Sequence, residues 1–283
     1  MSHRRGILYA TCVFLIAGPT VLWFAACSPT APEAEVVLPI QRSTADAAVS
    51  QPDLVEAAKR DPMVLVRRGR EWYTQNVREY RCVLTKQESI DGKLSPIQEI
   101  ELRYRERPRS VYMLWKRNAG AAKRALYMDK AAFVDDMGRR LARVEPAGAI
   151  ARLFVKDILM PINGPEARKA SRRTIDEAGF HATFELLEAY NEAAAARGVL
   201  DLRYGGTGVV DGRPTYVIIR DLPYDGAGGP YPDARMVMHL DQEWLVPVAV
   251  YSYADHEERE LLGSYVFTKV EFNPDFGQDD FEF

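Results

Sequence analysis

Residues 77–89, VREYRCVLTKQES, lead through Ile90-Asp91-Gly92-Lys93 into residues 96–108, PIQEIELRYRERP, and then residues 109–117, RSVYMLWKR. Apolar and polar residues alternate throughout. Tyr80, Cys82 and Leu84 share one face, then Ile100, Leu102 and Tyr104, then Val111, Met113 and Trp115. A period of two predicts strands with one dry face. The Asp-Gly pair between the first two runs predicts a hairpin or a tight connection. The core therefore begins as an antiparallel meander, and later segments extend that sheet or cover its dry face.

Upstream, Pro52-Asp53 opens a short helical segment, and Asp61-Pro62 reads as an N-cap with proline at the first helical position. Met63, Val66, Arg70 and Tyr73 share one helical face, so a helix bearing Trp72 and Tyr73 is placed to cover the sheet. Downstream, residues 122–129, 131–138 and 139–146 read as further short strands. In residues 147–179, Ile150, Leu153, Phe154 and Ile158 have helical spacing, and proline and glycine breaks follow, which predicts a helix and a long irregular loop. Thr174 and Glu177 match a capping box, so the next helix starts there or after Gly179. Phe180, Phe184, Leu187 and Tyr190-Asn191 lie near its stripe, and Gly198 closes it. Five alternating runs complete the chain, at residues 199–206, 213–223, 234–244, 245–255 and 260–272. Strands at such regular spacing predict an antiparallel sheet rather than a parallel one.

The composition is that of a globular protein, 47% hydrophobic and 27% charged. The net charge of -3 conceals a polarity. Residues 103–173 hold 18 basic and 7 acidic side chains, a balance of +11, and residues 174–283 hold 7 and 21, a balance of -14. Two segments so charged either compensate each other in the fold or leave a basic surface for anionic lipid or glycan. No nucleic-acid motif accompanies the charge, so no nucleic-acid partner is expected.

The N-terminus, MSHRR, is followed by an apolar stretch and small residues before Cys27, the shape of a secretory signal. Ala25-Ala26-Cys27 resembles the bacterial lipobox, in which the cysteine is diacylated and becomes the mature N-terminus. Phe24 stands where that motif usually carries leucine, which keeps an uncleaved apolar anchor as the alternative. Ser28, rather than aspartate, suggests outer-membrane sorting. Either version exports the chain to the periplasm and ties it to a membrane. Residues 28–51, rich in Pro, Ala, Ser and Thr, read as a flexible tether, and residues 52–283 as a single curved-sheet domain. Cys82 would then be the lone cysteine of the folded part, a small buried hydrophobe on a dry strand face.

Residues 79–115 after such a signal, SRRTIDEAGF (171–180) before a helix, and the C-terminal SYVFTKVEFNPDFGQDDFEF (264–283) carry a resemblance. The first two are similar to DUF1571, a family of exported bacterial proteins of unknown function, over roughly residues 65–282. The last resembles the end of the LolA/LolB lipoprotein-carrier fold. The resemblance implies an α+β fold: a strongly curved antiparallel β-sheet, an incomplete barrel, with helices across its concave face and an apolar cavity between. It assigns no functional residue.

Motifs for chemistry are few. Asp275-Phe276-Gly277 lacks the other kinase signatures, and Gly205-Gly206-Thr207-Gly208 lacks a following helix and lysine, so a hairpin turn is the better reading. Tyr265 and Lys269 have the spacing of a dehydrogenase pair but sit in a strand. His181, His239 and His256 are isolated in sequence, and Asp255-His256-Glu257-Glu258 reads as a solvated turn, so neither a metal nor any other cofactor is expected. No nucleophile elbow points to a hydrolase, although a Ser-His-Asp triad can assemble only in space. Arg103, Arg105, Lys269 and Glu271 at outer strand positions exclude a lipid-facing barrel wall.

What remains is a cavity. Its candidate lining is Trp72, Tyr104, Tyr112, Trp115 and Phe184 from the first part of the chain, and Tyr216, Met236, Met238, Tyr251, Tyr253, Tyr265 and Phe267 from the second. The leading reading is a non-enzymatic cell-envelope lipoprotein, tethered through Cys27, that binds a lipid-like or lipoprotein ligand there. The competing reading is a structural or interaction protein of the envelope with a packed core and no small ligand. A hydrolase is the third.

Overall fold

Strand β1 (Glu79–Ile90) turns at Asp91 and Gly92, whose φ values of 51° and 73° are those of a two-residue hairpin turn, into the short β2 (Lys93–Leu94). β3 (Gln98–Glu106), β4 (Arg109–Arg117), β5 (Ala122–Met128), β6 (Leu141–Pro146) and β7 (Ile158–Pro161) follow as successive antiparallel neighbours. The computed structural model describes residues 51–148 and 156–283. The signal and most of the tether, along with the first part of the helix expected from Ile150, lie outside them.

The second group comprises β8 (Asp201–Val210), β9 (Arg213–Asp221), β10 (Arg235–Asp241), β11 (Pro247–Tyr253) and β12 (Leu261–Phe272). β1 joins the two groups, pairing with β3 on one side and with β12 on the other. The result is one open twelve-stranded antiparallel sheet with β7 and β8 at its edges. A register shift between Arg81 and Val83 faces Lys269 at φ 51°, a bulge of the kind that bends a sheet.

Among the described residues four helices accompany the sheet: α1 (Pro52–Arg60), α2 (Met63–Asn76), α3 (Pro165–Ala170) and α4 (Phe180–Ala196). The Asp61 carboxylate accepts the Met63 N–H at 3.0 Å and caps α2. Thr174 and Glu177 do form a capping box, but around a single 3-10 turn (Ile175–Glu177), and α4 begins only after Gly179. Gly179 is at φ 98°, and a Cβ there would collide with the Tyr80 hydroxyl. That hydroxyl in turn accepts the Phe180 N–H at 3.2 Å.

α2 and α4 fill one end of the concave face. The Phe180 ring lies 4.7 Å from Tyr80 and 5.0 Å from Phe267, and Tyr73 of α2 lies 6.2 Å from both Phe180 and Phe184. Each such ring, fully buried, contributes roughly 1.5–3 kcal/mol. On the convex face the C-terminal segment folds back, with Phe281 buried against Tyr112 and Leu126. Arg103 anchors that segment to the Asp280 carboxylate at 3.1 Å, and Arg105 holds the Phe276 carbonyl at 2.7 Å.

Some segments differ from expectation. Residues 131–138 form a 3-10 turn (Ala131–Phe133) and one isolated bridge rather than a strand, because the Asp135 carboxylate takes the backbone N–H groups of Met137 and Arg139. Ile158, counted into a helical pattern, lies in β7, where it pairs with Val144. Gly205 and Gly206 form neither cradle nor turn but sit at a bulge inside β8. The basic and acidic segments do meet, in the Arg103–Asp280, Arg140–Asp176 and Arg109–Glu185 pairs.

Candidate functional site

The aromatic plug at the start of α4 fills one end of the concave face, and among the described residues none fills the other end. The space left is a cleft of about 1070 Å³ between the sheet, α4 and residues 158–179. This is at the upper end of the ~300–1,000 Å³ typical of ligand pockets. Alternation decides which side chains face it. Leu84 of β1, Ile100 of β3, Met113 and Trp115 of β4, Ala125 of β5, and Ala142 and Val144 of β6 form an apolar wall. Met236, Met238, Val250 and Phe267 continue that wall on β10–β12.

Five of the twelve expected lining residues are brought together here: Trp115, Met236, Met238, Tyr265 and Phe267. The other seven do not line the cleft. Trp72, Tyr104 and Phe184 belong to the packed end, with Trp72 5.5 Å from the Phe272 ring and Tyr104 stacked on Tyr80. Tyr112 is on the convex face under Phe281 and Phe283. Tyr216 packs beside Tyr204, and its hydroxyl accepts the Gln51 N–H at 3.3 Å. Tyr251 and Tyr253 point opposite to Val250 and Ser252, which face the cleft.

One end of the cleft is polar. Arg220, Met236, Ser252, Gly263 and Glu88 stand opposite one another in register across β9, β10, β11, β12 and β1. Tyr265 and Lys86, paired with each other, occupy the adjacent level. Glu88 is 1% exposed and accepts hydrogen bonds from Tyr265 at 2.6 Å, Lys86 at 3.0 Å and Ser171 at 3.0 Å. Burial works to raise the Glu88 pKa, but Lys86 and these donors outweigh it and hold the carboxyl below its usual range. Burial and the Glu88 charge push the Tyr265 phenol well up, so it remains a donor. A second pair, Arg220 and Asp233, is 2% and 1% exposed with a contact of 2.9 Å. Ser252 donates to the Asp233 carboxylate at 3.0 Å, and Arg220 reaches the Asn191 side-chain oxygen at 3.3 Å.

None of Lys86, Glu88, Arg220 or Asp233 was singled out from the sequence. For three of them the signal was present. Lys86 and Glu88 continue the parity of Tyr80, Cys82 and Leu84, and Arg220 that of Tyr216 and Ile218, so charges fall on a face read as dry.

Elsewhere the residues suspected of chemistry are apart. His239 is buried with Nδ1 3.0 Å from the Thr215 hydroxyl, and His181 lies 3.1 Å from Glu185. The Asp255 carboxylate is occupied by the backbone N–H groups of Glu257, Arg259 and Glu260. The Cys82 thiol is buried, and burial pushes its pKa up. Among the described residues no group of three or more His, Cys, Asp or Glu is placed to hold a metal, and no helix is long and apolar enough to cross a membrane.

The profile of a family described as "protein of unknown function (DUF1571)" matches residues 77–283, and the chain belongs to that family. No curated protein matches the sequence significantly. Among solved structures the chain is similar to MucB, with 18% identity and a TM-score of 0.46, covering 79% of this chain and 63% of that one. It thus spans less than two thirds of MucB. It is similar to the lipoprotein LppX of Mycobacterium tuberculosis, at 15% identity and TM-score 0.41, covering 77% and 98% of the two chains. A LolA superfamily protein from Nitrosomonas europaea follows at 8% identity and TM-score 0.23, covering 78% and 97%. At these scores the likenesses carry no functional inference.

Proposed function

We propose that this chain is a non-enzymatic, exported envelope protein that holds the apolar part of a lipid-like or lipoprotein ligand in the cleft. The observation that carries this reading is the cleft itself: about 1070 Å³ left between sheet and helices and walled by Leu84, Ile100, Met113, Trp115, Met238 and Phe267. Interiors that only stabilise a fold are close-packed, with few voids larger than a water, and a packed structural core would not leave such a space. The wall provides area for an acyl chain or an apolar peptide segment.

The test is uptake of a fluorescent fatty acid by protein prepared without detergent. Saturable binding at micromolar concentrations, abolished by excess unlabelled lipid, is the expected result. Absence of uptake by folded protein would leave the packed-core alternative.

The sequence of the first 28 residues supports the address. Cys27 is the lipid-bearing residue of a membrane-anchored, periplasmic lipoprotein, sorted to the outer membrane by Ser28, and residues 28–51 tether the domain. Cys27→Ser should abolish labelling by a lipid precursor and release the protein from the membrane. An unchanged membrane fraction would instead identify residues 6–27 as an uncleaved anchor.

A further inference from the structure

Most cations at the polar end of the cleft are held in ion pairs. Lys86 is neutralised by Glu88 at 3.0 Å, Arg220 by Asp233 at 2.9 Å, and Lys169 by Glu166 at 3.1 Å. Arg173, which also lines the cleft, has no carboxylate in ion-pair contact among the described residues. Tyr265, Glu177 and Tyr190 are its titratable neighbours. Glu177, which also lines the cleft, brings a carboxylate charge near Arg173 without an ion-pair contact, and accepts the Thr174 N–H at 3.0 Å in the capping box.

A second donor lies beside it. The Arg220 Cζ is 5.8 Å from the ring of Tyr190, which is also a neighbour of Arg173. Arg220 uses one terminal nitrogen on Asn191 and the other on Asp233, while its buried Nε–H has no acceptor. A buried donor without a partner is costly, and a guanidinium with no carboxylate in ion-pair contact, on the wall of an apolar cleft, favours an anion beside it.

On the reading of the cleft as a ligand site, we infer that the ligand is an anionic amphiphile. Its carboxylate or phosphate is received by Arg173 and the free Nε–H of Arg220, and its chain runs along the wall toward Trp115. A guanidinium fork suits either anion. A neutral amphiphile would leave Arg173 without an ion-pair contact.

Isothermal titration of the detergent-free protein with palmitic acid, 1-palmitoyl lysophosphatidic acid and hexadecanol tests this. The chain is common to all three, and only the head differs. The expected result is that one or both acids bind at least about tenfold tighter than the alcohol, as hydrogen bonds to a charged group imply. The acid that binds tighter identifies the head as carboxylate or phosphate. Arg173→Met should abolish the preference for the acids over hexadecanol.

Equal affinities for acid and alcohol in the wild-type protein would overturn the inference while sparing the cleft reading, and that comparison needs no variant. An Arg173→Met protein that melts normally and keeps its preference for acids would likewise overturn the assignment to Arg173. Failure of all three compounds to bind would remove the cleft reading itself.

Discussion

Glu88 shows at the scale of one residue how this sheet tolerates charge inside. It sits on the concave face of β1 with three donors on its carboxylate. A buried ion pair of this kind is poor evidence for stability, because desolvation offsets the Coulomb attraction, but removing one partner leaves the other uncompensated. Glu88→Gln should therefore cost about 3 kcal/mol at neutral pH in urea denaturation. The sign with pH follows from a folded-state pKa below the ordinary 4.5. The stability Glu88 contributes is present above that ordinary value and is lost as pH falls through the lower, folded one. The gap between wild type and variant should close in acid, and a gap independent of pH would mean that Glu88 is not ionised in the fold. The alternation that places Tyr80, Cys82 and Leu84 inside places Lys86 and Glu88 inside as well. What alternation does not supply is the partner, since Ser171 is 83 residues away and Tyr265 is 177.

Among the elements, α4 determines where the cleft lies. Phe180 touches Tyr73, Tyr80, Phe267 and Phe272, so it is the residue that closes the packed end. Phe180→Ala should cost about 3–5 kcal/mol in equilibrium unfolding. A cost below 1 kcal/mol would show that the plug rearranges around the missing ring. The strands on both sides of α4 were legible because each has a clear period of two. Lining was less legible where both faces of a strand are buried. In β11 every residue but Val250 is buried, so the sequence offers two apolar faces, and the aromatic pair Tyr251 and Tyr253 occupies the one turned away from the cleft. Residues 131–138 failed differently, because a single aspartate side chain competed successfully for the backbone donors of a would-be strand.

The whole molecule depends on β1. Because β1 pairs with both β3 and β12, strands separated by the helical middle of the chain form one surface, and side chains far apart in sequence share one concavity. The curved sheet and its covering helices could be read from pattern and resemblance. The volume left under them could not, because it depends on how far along the sheet α4 reaches before Gly198. Filling that volume provides a prediction at this scale. Val144→Trp, at a half-buried position on the wall, should reduce fatty-acid uptake at least about tenfold while the protein stays folded, since a pocket side chain of that size occupies the ligand's place. Unchanged uptake in a folded variant would locate the binding elsewhere.

The central claim is that the cleft exists to be occupied, and native mass spectrometry of the exported protein, purified from membranes and periplasm without detergent, tests it most directly. The predicted result is a population carrying a bound, non-covalent mass of lipid size that dissociates on collisional activation and is lost from the Val144→Trp protein. A single apo mass, unchanged after incubation with fatty acid or lysophospholipid, would contradict the account.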